Sequence, residues 1–406
     1  MTTSPAAKDS EFTCECKDWI RSSCIGEPFF LKHEGERYCV FHLPGEGKSA
    51  AFYEALQKKL DRQDYNFRGF WFPALSNFSG FKFNRPVDFT DATFNADTRF
   101  IFVVFYETVS FEGATFNANA DFSEATFERN TNFQSARFRA TVDFRETSFK
   151  NWADFNGAVF EDHVVFSSKR EQLIPNQNLS LDLQFARVEK PDHFSFHTLT
   201  LHPHSFVNVD ARKFEFTNVE WDWRGINEEI ESLVRMNVPA PHRMLAIACR
   251  HLAVNAEENH RYEEASRFRY MAMDARRLEH WWGMDFRRLS WWYWLASGYG
   301  ERIVRAAVVL LGIFLLSAAL YTQVGFARWE PRMASESDAA VGKRDEVGAP
   351  LKLSRALTYS AAVMTFQRPE PRPATTAAQT IVLLETVLGP VQAALLALAI
   401  RRKFMR

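Results

Sequence analysis

Residues 111–138 read FEGATFNANADFSEATFERNTNFQSARF, and phenylalanine returns in this stretch after five residues, then six, then five again. The series begins at Phe67 and continues without a gap to Phe166. An α-helix repeats about every 3.6 residues and a flat strand about every 2, so a mean spacing of about 5.5 residues fits neither. The chain must turn a corner after each phenylalanine, which predicts a coiled β-solenoid with stacked rings along its axis.

Two other positions of the repeat support a solenoid. A small or β-branched residue often stands two positions before a phenylalanine, as at Ala114 and Ala125, and leaves room for the neighbouring ring. Asp or Asn often stands one position before, as at Asp121 and Asn132, where its side chain can hydrogen-bond the backbone of a corner. The rings that we expect in the solenoid core include Phe122, Phe127, Phe133, Phe138, Phe144 and Phe149.

The repeated unit resembles the A-(D/N)-F-x-x unit of the pentapeptide-repeat family, lengthened by one residue at every second step. The resemblance covers residues 65–168 and extends less regularly to about residue 223. It implies a right-handed quadrilateral β-helix with about four to five coils in the regular part. A phenylalanine-rich β-sandwich is the alternative.

Length and charge limit the remaining possibilities. The chain has 406 residues, which is too long for one ordinary domain. Its net charge of −1 gives no general attraction to nucleic acid, and the solenoid is too weakly acidic to imitate DNA, so we expect no nucleic-acid partner. The sequence shows no nucleophile–base pair, no phosphate-binding glycine loop and no open metal site, and we expect no enzymatic activity.

The N-terminal segment, residues 1–62, is predicted to be a metal-binding module followed by a short helix at 49–62. Four of the five cysteines lie within residues 14–39, and no apolar signal peptide is visible, which favours a reducing compartment and a metal over disulfides. Free thiols in a loop are the alternative. The expected ligands of a structural zinc ion are Cys16, Cys24, Cys39 and His42, with Cys14 as a substitute.

Helices are predicted after the solenoid, which we assign to residues 63–223. They span residues 227–236, 242–257 and 261–280, within a domain at 224–283. The last two resemble a tetratricopeptide-like hairpin, for which a connector packed on its neighbours is the simpler interpretation.

The remaining residues, 284–406, are predicted to form a membrane domain. Two apolar segments, 306–321 and 374–400, are long enough to cross a bilayer as helices. An interfacial helix is predicted at 284–297, and basic residues outside both spans favour cytoplasmic termini. We expect a multi-pass protein of the bacterial inner membrane. The tryptophans expected to anchor it at the lipid–water interface are Trp281, Trp282, Trp291, Trp292 and Trp294.

A short apolar helix is predicted between the two spans, followed by a proline-rich return at 367–373. With the segments ALTYS at 356–360 and ETVLG at 385–389, this order resembles the pore unit of two-transmembrane pore-loop ion channels, over residues 302–406. The glycines of a potassium filter are missing, so potassium selectivity is not expected. The predicted pore loop comprises Thr365, Phe366, Gln367, Arg368 and Glu370. If it lines a pore, Gln367, Arg368 and Glu370 are expected to project their side chains into it.

The second span contains an acidic residue and a helix-interrupting pair. Glu385 is expected to bond either the back of the short helix or a neighbouring subunit, and Gly389 with Pro390 could form a hinge. The alternative is that the span begins only after Glu385.

Two spans and one loop cannot enclose a channel, so the resemblance implies a ring of subunits, which we expect to be a homotetramer. The expected function is that of an ion-channel-like membrane protein with a cytoplasmic solenoid for sensing or assembly, acting with an unidentified cytoplasmic protein or ligand. A membrane-anchored scaffold that binds other proteins without conducting is the alternative.

Overall fold

The computed structural model describes residues 12–168, 181–223, 225–279, 287–327 and 350–404. The chain divides into two compact units, Met1–Ala275 and Arg276–Arg406. The first contains the solenoid and the second contains the apolar helices. The finer division into four domains stays a prediction.

The N-terminal part of the first unit covers one end of the solenoid. It consists of a 3₁₀-helix Asp18–Cys24, an antiparallel hairpin of β1 (Phe29–His33) and β2 (Glu36–Cys39), and helix α1 (Ser49–Asp61). Phe52 of α1 packs edge-on against Phe72 of the first coil, with ring centroids 5.2 Å apart. Phe41 stacks on Phe70 at 4.3 Å. These rings hide the first layer of the core, which a solenoid end otherwise exposes.

The solenoid is built from very short parallel strands arranged on four faces. Strands pair with the equivalent strand of the next coil, as Thr93 with Thr115 and Thr115 with Arg137. Two five-residue and two six-residue steps thus make one coil. The first sheet contains the strands Val87–Asp88, Val109–Ser110, Thr131–Asn132, Ala153–Asp154 and Leu181–Asp182, and the second contains Trp71–Phe72, Thr93–Phe94, Thr115–Phe116, Arg137–Phe138, Val159–Phe160 and Arg187–Val188. The third sheet contains Ser76–Asn77, Thr98–Arg99, Ala120–Asp121, Val142–Phe144, Val164–Ser167, Phe194–His197 and Glu215–Thr217. The fourth contains Lys82–Phe83, Val104–Phe105, Thr126–Phe127 and Ser148–Phe149.

Phenylalanine rings form four parallel stacks inside these faces. Phe133 lies 4.7 Å from Phe111, with the two rings inclined by only 3°. Phe138 likewise stacks on Phe116 at 4.9 Å. The rings predicted for the core are all buried, and each stacks on the equivalent ring one coil away: Phe122, Phe127, Phe133, Phe138, Phe144 and Phe149.

The corners within the five-residue steps combine two features. Where Asp or Asn precedes the ring, its carbonyl-type oxygen accepts a hydrogen bond from the backbone N–H two residues later, as Asp121 does from Ser123 at 2.9 Å. This confirms the predicted role of these side chains. The following residue then enters the left-handed region, as Ser135 does (φ 55°) after Gln134 N–H donates to Asn132, and the equivalent position one coil earlier is Gly113 (φ 65°). At Gly113 a Cβ atom would lie 2.5 Å from Asp91 Oδ1, so a larger residue there would require the Asp91 side chain to move.

The solenoid makes about six turns over residues 71–221, because less regular coils follow the predicted regular part. Two strands beyond the four main sheets, Thr200–Leu201 and Glu220–Trp221, pair in this final region. The right-handed winding stays a prediction.

Three helices close the other end of the solenoid: α2 (Ile226–Arg235), α3 (Pro241–Glu258) and α4 (Tyr262–Leu278). Asn255 of α3 directs its side-chain amide at the carbonyl oxygens of Ala211, Arg212 and Phe214, at 2.7–3.1 Å. Phe268 of α4 packs edge-on against Trp221. The α3–α4 hairpin is therefore a cap that satisfies the backbone and covers the aromatic core of the last coil.

The second unit consists of α5 (Leu289–Ser297), α6 (Ile303–Tyr321), α7 (Leu353–Met364) and α8 (Thr376–Phe404). Helices α6 and α8 are both long and apolar enough to cross a membrane. They lie antiparallel, since Gln392 of α8 donates to the carbonyl oxygen of Ala306 near the start of α6, at 2.9 Å. Helix α8 begins nine residues before Glu385, which therefore lies within its apolar segment.

Candidate functional site

The cysteine cluster of the N-terminal segment brings all five predicted ligands together. The ligand atoms of four buried residues lie within 4.8 Å of one another; these residues are Cys14, Cys16, Cys24 and His42. Cys39 adjoins them, with its Sγ 3.2 Å from His42 Nδ1 and its N–H donating to Cys14 Sγ at 3.4 Å. The compact group of four thus contains the substitute Cys14 in place of Cys39. Which four residues bind a metal stays a prediction.

The orientation of His42 suits a metal ligand. Its Nε2 lies 3.1 Å from the carbonyl oxygen of Arg68 in the first coil, which can only accept, so Nε2 carries the proton. Its Nδ1 faces the thiols of Cys14 and Cys39 and is the nitrogen that a metal ion held by these thiols would reach. A backbone carbonyl that fixes the imidazole tautomer is the usual partner of a metal-bound histidine.

The thiols and a nearby lysine also have the electrostatics of a metal site. Hydrogen bonds from neighbouring thiols, above all from Cys16, hold the pKa of Cys14 well below its usual range, whereas the hydrogen bond with Cys14 raises the pKa of Cys24. Lys48 is buried and donates to the carbonyl oxygens of Val40 and Phe41, at 2.6 and 3.0 Å. Burial lowers its pKa to about 7, while the Cys39 and Cys14 thiolates act in the opposite direction. Zinc with three thiolates and one imidazole carries one net negative charge, which a nearby ammonium group would offset. The residues present therefore fit a structural zinc ion.

A second polar cluster lies among the apolar helices of the second unit. The buried carboxylate of Glu385 on α8 accepts hydrogen bonds from Tyr321 Oη at the end of α6 and from Ser360 Oγ on α7. Ser360 also lies 3.2 Å from the carbonyl oxygen of Phe314. Within the single chain, Glu385 therefore bonds the short helix, which is one of the two roles expected for it.

The predicted hinge residues lie within one continuous helix. Helix α8 runs through Gly389 and Pro390 without interruption. A Cβ atom on Gly389 would lie 3.0 Å from the side chain of Met364, so the glycine lets α8 approach the end of α7 closely. Whether the pair acts as a hinge stays a prediction.

The five predicted pore-loop residues follow α7 directly and are exposed. Phe366 has a left-handed conformation (φ 58°), and the N–H groups of Phe366 and Gln367 donate to the carbonyl oxygens of Val363 and Ala362. This is the hydrogen-bond pattern of a Schellman helix end. The side chains that extend beyond this end are Thr365, Phe366, Gln367, Arg368 and Glu370.

The predicted interfacial tryptophans lie partly on α5. The guanidinium groups of Arg277 and Arg305 lie 4.3 and 5.0 Å from the ring centroid of Trp294. Trp291 packs edge-on against Trp292, which is half exposed. Trp281 and Trp282 lie outside the described residues.

The sequence reasoning missed one group that the fold assembles. His202, His204 and Glu229 are buried, and their ligand atoms lie within 4.8 Å of one another. The available signal was the His202-Pro203-His204 triplet, because two histidines separated by one residue often bind the same metal ion.

The sequence comparisons cover only the regular coils. Residues 78–126 and 122–168 match the family model described as pentapeptide repeats (9 copies). Neither the comparison with curated proteins nor the comparison with solved structures found a match. The solenoid segment at residues 78–168 belongs to the pentapeptide-repeat family.

Proposed function

We propose that this chain is an oligomeric, ion-channel-like membrane protein whose pentapeptide-repeat solenoid senses a signal or assembles the ring. The second unit crosses the bacterial inner membrane twice, with both termini in the cytoplasm. Four copies surround the pore, lipid covers their outer surface, and a cytoplasmic protein or ligand acts on the solenoid.

The path of the chain between α6 and α8 supports a re-entrant segment. Leu351 N–H donates to the carbonyl oxygen of Tyr321, so the approach to α7 begins beside the end of α6. Because Ser360 Oγ lies 3.2 Å from the carbonyl oxygen of Phe314, α7 runs back along α6. Its 12 residues are about 18 Å long, or roughly half of a bilayer core. The return then pairs with the segment after α6, where Ala327 N–H donates to the carbonyl oxygen of Arg372 at 2.8 Å.

The observation that carries the proposal is the bonding of Glu385 to both Tyr321 and Ser360. One buried carboxylate thereby fixes the short helix between the two spanning helices. An acidic residue within an apolar span is costly and commonly marks a substrate or ion path. Simple anchoring would need only two apolar helices, without an acid that positions a third element.

The exposed surface of the second unit supports self-association. The loop at 365–370 is irregular and exposed, and such backbone is tolerated at membrane depth only against protein or water. Apolar side chains are also exposed along α6 and α8, as at Val304 (76%) and Leu383 (67%). A ring of copies in lipid would cover the apolar faces and leave the loops around a water-filled centre.

We further propose that the N-terminal cluster holds a structural zinc ion. His42 bonds the first coil through Arg68, so the ion would fasten the N-terminal cap to the solenoid.

A membrane-anchored scaffold without conduction is the second candidate. The lack of glycine at 365–370 argues against a carbonyl-lined filter. Phe102 and Tyr106 are exposed on the solenoid surface, where they could contact a partner protein.

Ion flux into liposomes containing the purified chain tests conduction. We expect flux in the wild type, a changed anion-to-cation ratio with Arg368→Ala, and loss of flux with Glu385→Ala. Gln379→Ala, on an exposed position of α8, is the control and should leave flux unchanged. If the wild type gives no flux above empty liposomes, the scaffold is the better account.

A further inference from the structure

The cluster of His202, His204 and Glu229 lies where the last coils meet the first helix of the cap. The two histidines flank Pro203, which begins a 3₁₀-helix ending at Phe206. Glu229 comes from the first turns of α2. Both histidine side chains and the carboxylate are almost completely buried.

The carboxylate of Glu229 is bonded on one side only. Its Oε2 accepts a hydrogen bond from the backbone N–H of His204 at 3.0 Å and lies 2.8 Å from His204 Nδ1, and a metal ion bound by this nitrogen would displace the proton between the two atoms. Its Oε1 has no hydrogen-bond donor among the described residues. This oxygen lies 3.9 Å from Nδ1 of His202, which is too far for a hydrogen bond. A buried, half-satisfied carboxylate is costly unless a cation compensates it.

The spacing of the donor atoms suits a common ion. With zinc–ligand bonds of about 2.0–2.1 Å, neighbouring donor atoms of a tetrahedral site lie about 3.4 Å apart. The observed separations include 2.8 Å between His204 and Glu229 and 3.9 Å between His202 and Glu229. Asp222 adds a fourth donor, with Oδ2 3.8 Å from His202 Nδ1. Small side-chain rotations would equalise these distances.

We propose that His202, His204, Glu229 and Asp222 bind one zinc ion, separate from the N-terminal cysteine cluster. Two imidazole nitrogens and two carboxylate oxygens form a donor set that suits zinc better than calcium or magnesium. All four donors come from the protein and three are buried, as in a structural site. The ion joins the last coils to α2 and so fastens the C-terminal cap of the solenoid.

Zinc content of the full-length chain in detergent tests the site. After dialysis against metal-free buffer, elemental analysis should find one zinc equivalent fewer in Glu229→Gln and in His202→Ala than in the wild type. The difference is independent of the occupancy of the cysteine cluster. His193→Ala is the control, because His193 is half exposed on the same region of the solenoid and should leave the content unchanged.

Glu229→Gln keeps the shape of the side chain and an oxygen that accepts from His204, so it should preserve the fold, as far-UV circular dichroism can verify. Cobalt titration of the metal-stripped wild type needs no variant. One equivalent of cobalt should bind with visible absorption bands of nitrogen and oxygen coordination, and this equivalent should add no thiolate charge-transfer band. Equal zinc content in the wild type and Glu229→Gln, or cobalt binding only with thiolate bands, would overturn the proposal.

Discussion

Truncating Phe133 to alanine removes a ring from the middle of the aromatic core. The ring is fully buried, stacks on Phe111 at 4.7 Å and on Phe155 at 4.6 Å, and meets Phe122 and Phe144 edge-on. Removing about 150 Å² of apolar surface from the core corresponds to about 4 kcal/mol at 25 cal/mol/Å². Because rings lie on both sides, the cavity cannot collapse easily, and we expect a loss of about 3–5 kcal/mol.

Hydrogen exchange measured by mass spectrometry on peptides spanning Phe133 can measure this loss in the full chain. A loss of about 4 kcal/mol should speed exchange of the protected amides by roughly 10³-fold, if they exchange through opening of the coils. Phe102→Ala is the matched control, because Phe102 is 56% exposed, and it should change exchange by less than about threefold. A loss below about 1 kcal/mol for Phe133→Ala would refute the stacked-ring account of the solenoid's stability.

Three further predictions follow from particular residues. Ser135→Gly should stabilise the solenoid by about 0.5–1 kcal/mol, because serine is sterically strained at φ 55° and glycine is not. The same hydrogen-exchange assay can measure this gain, and destabilisation would contradict the assigned corner geometry. Burial raises the pKa of Asp182 to about 6, so its charged form disfavours the folded state. The free energy of unfolding of the wild type should therefore fall as the pH rises from about 4 to about 6. Asp182→Asn should remove that fall and add up to about 3 kcal/mol to the free energy of unfolding at neutral pH. Denaturant titrations can measure the change, with Asp121→Asn as the control. If variant and wild type are equally stable at about pH 4 and also at about pH 6, the prediction is refuted. Cys24→Ser should lower zinc content by one equivalent and speed exchange in residues 12–48, whereas unchanged zinc content would remove Cys24 from the ligands.

Much of the solenoid could be predicted because its information is local and repeated. Each Phe lies in the same register as its equivalents, and residues such as Asp121 bond a neighbour only two positions away. The left-handed corners were not predicted, since Phe102 and Ser135 have no side-chain preference for that conformation.

The candidate sites depend on contacts between residues distant in the sequence. The sequence indicates that Glu385 needs a partner, but Tyr321 lies 64 residues away and is brought close by the packing of α6 on α8. Glu229 similarly reaches His204 only because α2 folds against the last coil. In the cysteine cluster, sequence spacing alone could not choose between Cys14 and Cys39 as ligands, because the folded chain brings the Sγ atoms of both close to His42 Nδ1.

Native mass spectrometry of the chain extracted from membranes in detergent tests the central claim most directly. The account predicts that the protein requires detergent and that the particle contains four copies of the 47.0 kDa chain. A particle with the mass of one chain would contradict the account, because a single pair of spanning helices with one re-entrant segment cannot surround a pore.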